Sequence, residues 1–70
     1  MIPLTMAKVG DAALIRKLSG RDEMRRHLTG LGFVVNGNVT VVSKTAGNLI
    51  VQVKDSRIAL DKTMANRIMV

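Results

Sequence analysis

Cysteine, tryptophan and tyrosine are all absent from this chain of 70 residues, and Phe33 is its only aromatic residue. The lack of thiols excludes disulfide bonds and thiolate metal sites, and it is consistent with a reducing compartment such as the cytoplasm. The core must therefore be aliphatic. The shortage of aromatic residues also disfavours the grooves that bind proline-rich peptides and the stacking platforms that bind single-stranded nucleic acid.

Long apolar stretches are absent as well. The longest uninterrupted apolar run covers only residues 12–15. A membrane span needs about 20 apolar residues, and the core of a signal peptide needs roughly 7–15. We therefore expect a cytoplasmic protein without direct membrane insertion.

Catalytic groups are scarce in this sequence. His27 is the only histidine, no cysteine can act as a nucleophile, and each serine falls at a predicted helix start, strand end or turn. Gly30 and Gly32 lack the spacing of a phosphate-binding loop and end a predicted helix, whereas a phosphate site precedes one. The sequence therefore predicts that the protein is not an enzyme.

Basic residues outnumber acidic ones by eleven to five, which gives a formal net charge of +6. They are scattered along the chain except in segment 16–26, where five positive charges accompany two acids. Three interpretations are open: a solvated face that keeps a small domain soluble, a surface for an acidic protein partner, and a nucleic-acid site. The scatter favours the first interpretation over the other two.

An amphipathic helix is predicted after Ser19, which suits an N-cap position. The acids at 22 and 23 and the basic residues that follow suit the helix dipole. Met24, Leu28 and Leu31 have the i, i+4, i+7 spacing of a buried stripe. The close-set glycines that follow end the helix, because glycine readily adopts the left-handed C-cap conformation.

Before this helix, a single helical turn is predicted at 5–9, with Leu4, Met6 and Val9 as its buried side chains. After it, Asn36-Gly37 and the loop containing Gly47 are turn signals between strands. Asp61 suits the cap of a second short helical turn.

Alternating segments predict about five short strands, at 13–18, 38–43, 49–54, 57–60 and 67–70. This set is too small for a sandwich, and a partly open barrel removes most of the exposed strand edges. We therefore predict a mainly β fold with one short inserted helix, in a single domain that spans residues 1–70.

A series of short motifs, in a fixed order along the sequence, covers essentially the whole chain. The most specific are Arg25-Arg26-x-Leu28-x-x-Leu31-Gly32 at the helix end and Arg57-Ile58-Ala59-Leu60 near the C-terminus, with Val9-Gly10, Val39-x-Val41 and Ala65-x-x-Ile68-x-Val70 around them. In this order the chain resembles the FeoA family, small cytosolic ferrous iron transport proteins. It also resembles the C-terminal SH3-like domain of iron- and manganese-dependent repressors. The resemblance implies a small SH3-like barrel of about five strands.

One departure from the family pattern lies in the turn after the helix. The family usually has a Pro-Gly pair there, whereas Val35-Asn36-Gly37 contains no proline. Asparagine and glycine still suit a turn. We expect a local change in this loop and the same fold.

The resemblance implies an accessory role in bacterial ferrous iron uptake. The implied partner is FeoB, a membrane permease with a cytosolic GTPase domain. The small protein would dock on that domain and regulate it, or would act as an assembly factor. The expected state is a monomer or a weakly self-associating protein. The candidate partner-binding residues are Arg21, Arg25, Arg26 and the exposed part of Leu31 to Phe33, and simple solvation of these residues is the alternative.

Metal binding is suggested by the family context, with Fe(II) or another divalent transition metal as the ion. Glu23 and His27 stand at i and i+4 of the predicted helix and are weak candidate ligands. Two ligands from one helix without a third hold an ion only weakly, so a solvent-facing pair is the preferred interpretation and no metal site is predicted.

The alternative function is nucleic-acid binding by a small basic barrel. Arg25, Arg26, Lys44 and Arg57 would then contact phosphates, and binding would depend steeply on salt. The shortage of aromatic residues makes this interpretation less favoured than a protein partner.

Overall fold

Six short strands form two antiparallel sheets in the computed structural model, which describes all of residues 1–70. The chain begins with a 3-10 turn at Leu4–Met6. The elements that follow are β1 (Ala12–Leu14), β2 (Lys17–Leu18), α1 (Asp22–Gly30), β3 (Asn38–Thr45), β4 (Asn48–Val53), β5 (Ser56–Asp61), α2 (Lys62–Ala65) and β6 (Ile68–Met69). The predicted class, mainly β with a short inserted helix, is confirmed.

The larger sheet has the strand order β1-β3-β4-β5, and the smaller one pairs β2 with β6. The single strand predicted at 13–18 is therefore wrong, because the chain passes from one sheet to the other within it. The change occurs at Ile15 and Arg16: the Ile15 amide donates to Gly37 O, and the Arg16 amide donates to Met69 O. Ile15 is fully buried at this crossing.

Thirteen buried residues form one core, and all of them except Phe33 are aliphatic. Leu28 is fully buried, while Met24 and Leu31 are partly buried against the core, so the predicted helix stripe is confirmed. The prediction for the first turn is wrong in part. Met6 and Val9 are 67% and 52% exposed. The turn is only three residues long and ends in extended backbone at Ala7, so that Leu4 and Ala7 are the side chains of this segment that reach the core.

Helix α1 begins later than the sequence suggested. Arg21 is the N-cap residue and makes no side-chain capping bond. The hydroxyl and the amide of Ser19 both donate to Arg67 O, so Ser19 belongs to the pairing with the C-terminal segment. Gly20, with a φ of +104°, turns the chain between that pairing and the helix. The Ser19 cap prediction was therefore wrong, because a long-range backbone partner holds this residue.

The end of α1 is a Schellman motif. Gly32 has a φ of +109°, its amide donates to Thr29 O, and the Phe33 amide donates to Leu28 O at 3.0 Å. This geometry directs Phe33 back over the helix end, where it is fully buried. The following turn forms without proline, since the Gly37 amide donates to Val34 O and Asn36 adopts a φ of +72°.

The short helix α2 is held by a side-chain cap. Asp61 Oδ1 accepts a hydrogen bond from the Met64 amide at 2.8 Å, as the sequence predicted. We expect Asp61→Ala to lower the free energy of unfolding by about 1 kcal/mol, because the amide loses its acceptor. Urea unfolding followed by circular dichroism would measure the loss. Asp61→Asn keeps an acceptor at this position, so an equal loss in that variant would contradict the capping explanation.

Candidate partner-binding surface on helix α1

The outer side of α1 carries the densest group of arginines in the chain. Arg25 and Arg26 lie with Asp22 and Thr29 around an open recess of about 350 Å³, and all four are exposed. The residues packed on the core occupy the opposite side of the helix, because positions three and four apart share a face. The helix thus separates an apolar side from a polar, mostly basic side. We call Arg21, Arg25 and Arg26 the basic helix face.

Within this face, Arg25 forms an ion pair with Asp22 one turn earlier. The Arg25 and Asp22 side chains are 49% and 73% exposed, so the pair stabilises the helix by well under about 1 kcal/mol. This is the only ion pair in the chain, although the sequence has eleven lysines and arginines. The other basic side chains, including those of Arg21 and Arg26, have no carboxylate partner within the chain.

A second open recess, of about 410 Å³, lies where α1 meets the C-terminal segment. Glu23, Met24 and His27 line it together with Arg21 and Arg67. A Cβ atom at Gly20 would come within 3.3 Å of Arg67 Cδ, so the absence of a side chain there gives Arg67 its place. No local sequence pattern indicates Arg67, because it lies at least forty positions from its neighbours in this recess.

The weak metal candidates Glu23 and His27 line this same recess, as their spacing indicated. No three side chains among histidines, aspartates and glutamates come together to hold an ion. The guanidinium groups of Arg21 and Arg67 share the recess, and they would repel a divalent cation. The residues present therefore do not fit a resident metal ion.

Phe33 does not lie on the partner-binding surface that the sequence analysis proposed. It is fully buried as the residue that closes the helix end, and Leu31 is partly buried against the core. Part of Leu31 stays accessible, whereas Phe33 offers no contact area. The apolar residue that this loop does expose is Val35, which is 51% exposed and was not singled out from the sequence.

The four cations considered for phosphate contact are spread over three elements. Arg25 and Arg26 lie on α1, but Lys44 on β3 donates to Thr5 O at 2.9 Å. Arg57 on β5 donates to Gln52 Oε1 at 3.1 Å. Lys44 and Arg57 line neither recess, so of these four cations only the two on α1 lie together.

The helices of this protein are too short and too polar to cross a lipid bilayer.

Comparison with known proteins supports the fold and the resemblance. A putative Fe(2+) transport protein A from Methanocaldococcus jannaschii is 29% identical over 70 residues, which cover 100% of this chain and 85% of the relative. A crystal structure of FeoA from Stenotrophomonas maltophilia in complex with zinc is 29% identical, with a TM-score of 0.79 over 99% of this chain and 88% of that chain. That protein is described as a prokaryotic SH3 domain protein. The expected SH3-like barrel is thereby confirmed, with six strands where about five were predicted.

A manganese-dependent transcriptional repressor has the same fold in one part of its structure. The two chains are 20% identical with a TM-score of 0.85, over 94% of this chain and 38% of the repressor. The FeoA domain model matches residues 2–70. This match extends over nearly the whole chain, and the chain therefore belongs to the FeoA domain family.

Proposed function

We propose that this protein is an accessory component of ferrous iron transport that docks on the cytosolic GTPase domain of a FeoB-type permease and regulates it. Membership of the FeoA domain family supports this role. So do the relative named Fe(2+) transport protein A and the Stenotrophomonas maltophilia FeoA, described as a candidate ferrous iron transport activating factor. In this role Fe(II) is the cargo of the permease, and the small protein works in the cytoplasm without holding the ion.

The observation that carries the docking proposal is the basic helix face. Arg21, Arg25 and Arg26 are all exposed, with Arg21 at the N-cap of α1 and the other two on its outer side, and only Arg25 has a carboxylate partner in the chain. Guanidinium groups bind carboxylates through paired hydrogen bonds. A net charge of +6 also attracts an acidic surface over a distance of about one Debye length. The face therefore suits an acidic patch on a protein partner.

Regulation follows from binding alone and needs no catalytic group on this chain. A protein that binds one conformation of a GTPase domain more tightly than another shifts the population toward that conformation. The rate of GTP hydrolysis then changes in proportion to the population of the competent state. The exposed Val35, in the loop that follows α1, offers apolar contact area for such a complex.

Titration of the purified GTPase domain with this protein tests the proposal. We expect saturable one-to-one binding by isothermal titration calorimetry, weaker at 300 mM than at 50 mM salt, and a changed hydrolysis rate at saturation. Absence of binding at about 100 µM of both proteins would refute docking. Binding without a change in the hydrolysis rate would refute regulation and leave an assembly role.

A parallel titration with labelled single-stranded RNA and DNA tests the alternative function. We expect no binding at 50 mM salt, because only two of the four candidate cations, Arg25 and Arg26, lie together. Tight binding with a steep salt dependence would instead favour the nucleic-acid function.

A further inference from the structure

Strand β5 is an unpaired edge of the larger sheet. In the order β1-β3-β4-β5 it pairs with β4 alone. The antiparallel register places Val53 opposite Ser56 across the tight turn, so the backbone groups of Ser56, Ile58 and Leu60 face β4. Those of Arg57 and Ala59 face away from it. No hydrogen bond from elsewhere in the chain reaches the amide or carbonyl of either residue.

This edge lacks the usual features that prevent edge-to-edge pairing. Folded proteins protect such strands with proline, bulges, short length or charges that repel. Strand β5 is six residues long, contains no proline or glycine, and its register with β4 is continuous. Arg57, Ala59 and Asp61 are all exposed. The edge is therefore open to another strand.

The charges on β5 are self-complementary. Arg57 and Asp61 stand two positions before and two positions after Ala59, on the same side of the strand. When two antiparallel copies of β5 meet at Ala59, Arg57 of each faces Asp61 of the other. Opposite charges directly across an antiparallel pair are stabilising, and like charges would be destabilising.

We infer that a second copy of this chain pairs with β5 edge to edge, about a two-fold axis at Ala59. The two four-stranded sheets then form one continuous sheet. The outward-facing amides and carbonyls of the two Ala59 residues bond to each other, as a hydrogen-bonded pair of an antiparallel ladder does. On the opposite side, the partly buried Ile58 lies across from Leu60 of the second copy.

The existing contacts of the two charged residues leave room for this pairing. Gln52 Oε1 accepts from Arg57 Nε, so the terminal guanidinium nitrogens stay available. The Met64 amide donates to Asp61 Oδ1, so Asp61 Oδ2 stays available to accept from an arginine of the second copy. The net charge of +6 opposes association of two copies, and we therefore expect a weak dimer whose pairing is specific.

Sedimentation equilibrium of wild-type protein up to about 1 mM measures the dimer. The variants Arg57→Asp and Asp61→Arg each place like charges across the two-fold axis, so each alone should dimerise at least tenfold more weakly. Mixed in equal amounts, they bring opposite charges together at both positions, and the mixture should recover association. Ala59→Pro removes the central amide donor and should also weaken dimerisation at least tenfold.

Controls separate pairing from folding and from total charge. Arg16→Asp lowers the net charge by two, as Arg57→Asp does, but on an exposed residue outside β5, and it should leave dimerisation unchanged. Circular dichroism shows whether each variant folds, which matters for Asp61→Arg because it also removes the α2 cap. A wild-type protein that stays monomeric at 1 mM would overturn the inference. So would a dimer that Arg57→Asp and Ala59→Pro both leave intact, or a mixture that recovers nothing.

Discussion

Reversal of Arg25 and Arg26 to glutamate is expected to weaken binding to the permease GTPase domain by at least tenfold and to leave the fold intact. Each reversal changes the charge by two units, so the net charge falls from +6 to +2. The variant places like charge against an acidic partner surface, which lowers the association rate and costs affinity. Calorimetric titration of the wild type and of the variant with the GTPase domain, at one fixed salt concentration, measures the difference in affinity.

The matched control for this variant is the reversal of Arg16 and Lys17, which lowers the net charge by the same amount. Both residues are exposed at the change between the two sheets, away from α1. If the basic helix face is the interface, the control binds much more tightly than the α1 variant. Equal losses in both would mean that the total charge alone drives association. Unchanged binding of the α1 variant would place the interface elsewhere.

The fold should tolerate this reversal because the side chains involved are exposed. The only ion pair that the variant loses is the one between Arg25 and Asp22, and exposed ion pairs contribute well under about 1 kcal/mol to stability. The reversed residues place acids three and four positions from Asp22 and three positions from Glu23, and each such like-charge pair weakens the helix by a similarly small amount. Thermal unfolding monitored by circular dichroism would show this, and a large drop in Tm would invalidate the binding comparison.

Leu28→Ala is expected to lower the free energy of unfolding by roughly 2–5 kcal/mol. Leu28 is fully buried, and its carbonyl accepts the Phe33 amide that closes the helix end. Truncation removes apolar contact and leaves a cavity between α1 and the sheets. For a domain of this size each kcal/mol lowers Tm by about 4–8 °C. Urea unfolding and a thermal scan together would measure the loss.

Two variants on the same helix calibrate this result. Leu31→Ala truncates a partly buried side chain and should cost less than Leu28→Ala. Arg26→Ala changes an exposed residue and should stay within about 0.5 kcal/mol of wild type. A loss below about 1 kcal/mol for Leu28→Ala would mean that α1 is not packed on the core as the structure shows.

Local sequence signals predicted most of the fold because they depend on near neighbours. The apolar stripe at Met24, Leu28 and Leu31, the glycine that ends α1 and the Asp61 cap are all present in the structure. Each feature involves residues within one or two turns of one another. The arginines of the basic helix face are also close in the sequence, and their role in partner binding stays a prediction.

Predictions failed where distant segments of the chain set the local structure. Ser19 is not a helix cap, because its hydroxyl donates a hydrogen bond to Arg67 O. Segment 13–18 is divided into two strands, because β1 and β2 pair with strands far along the chain. Phe33 was assigned to the surface, but the helix end turns it into the core.

The sequence by itself determined a single small β-rich domain with an aliphatic core, an inserted amphipathic helix and an excess of positive charge. Composition and short-range periodicity are sufficient for these properties. Only the tertiary structure decided that Arg67 joins Glu23 and His27 in one recess and that β5 has an unpaired edge. The recess and the unpaired edge both depend on which distant segments of the chain come into contact. Those contacts are set by the packing of the two sheets and α1, which must all bury their apolar sides in one core.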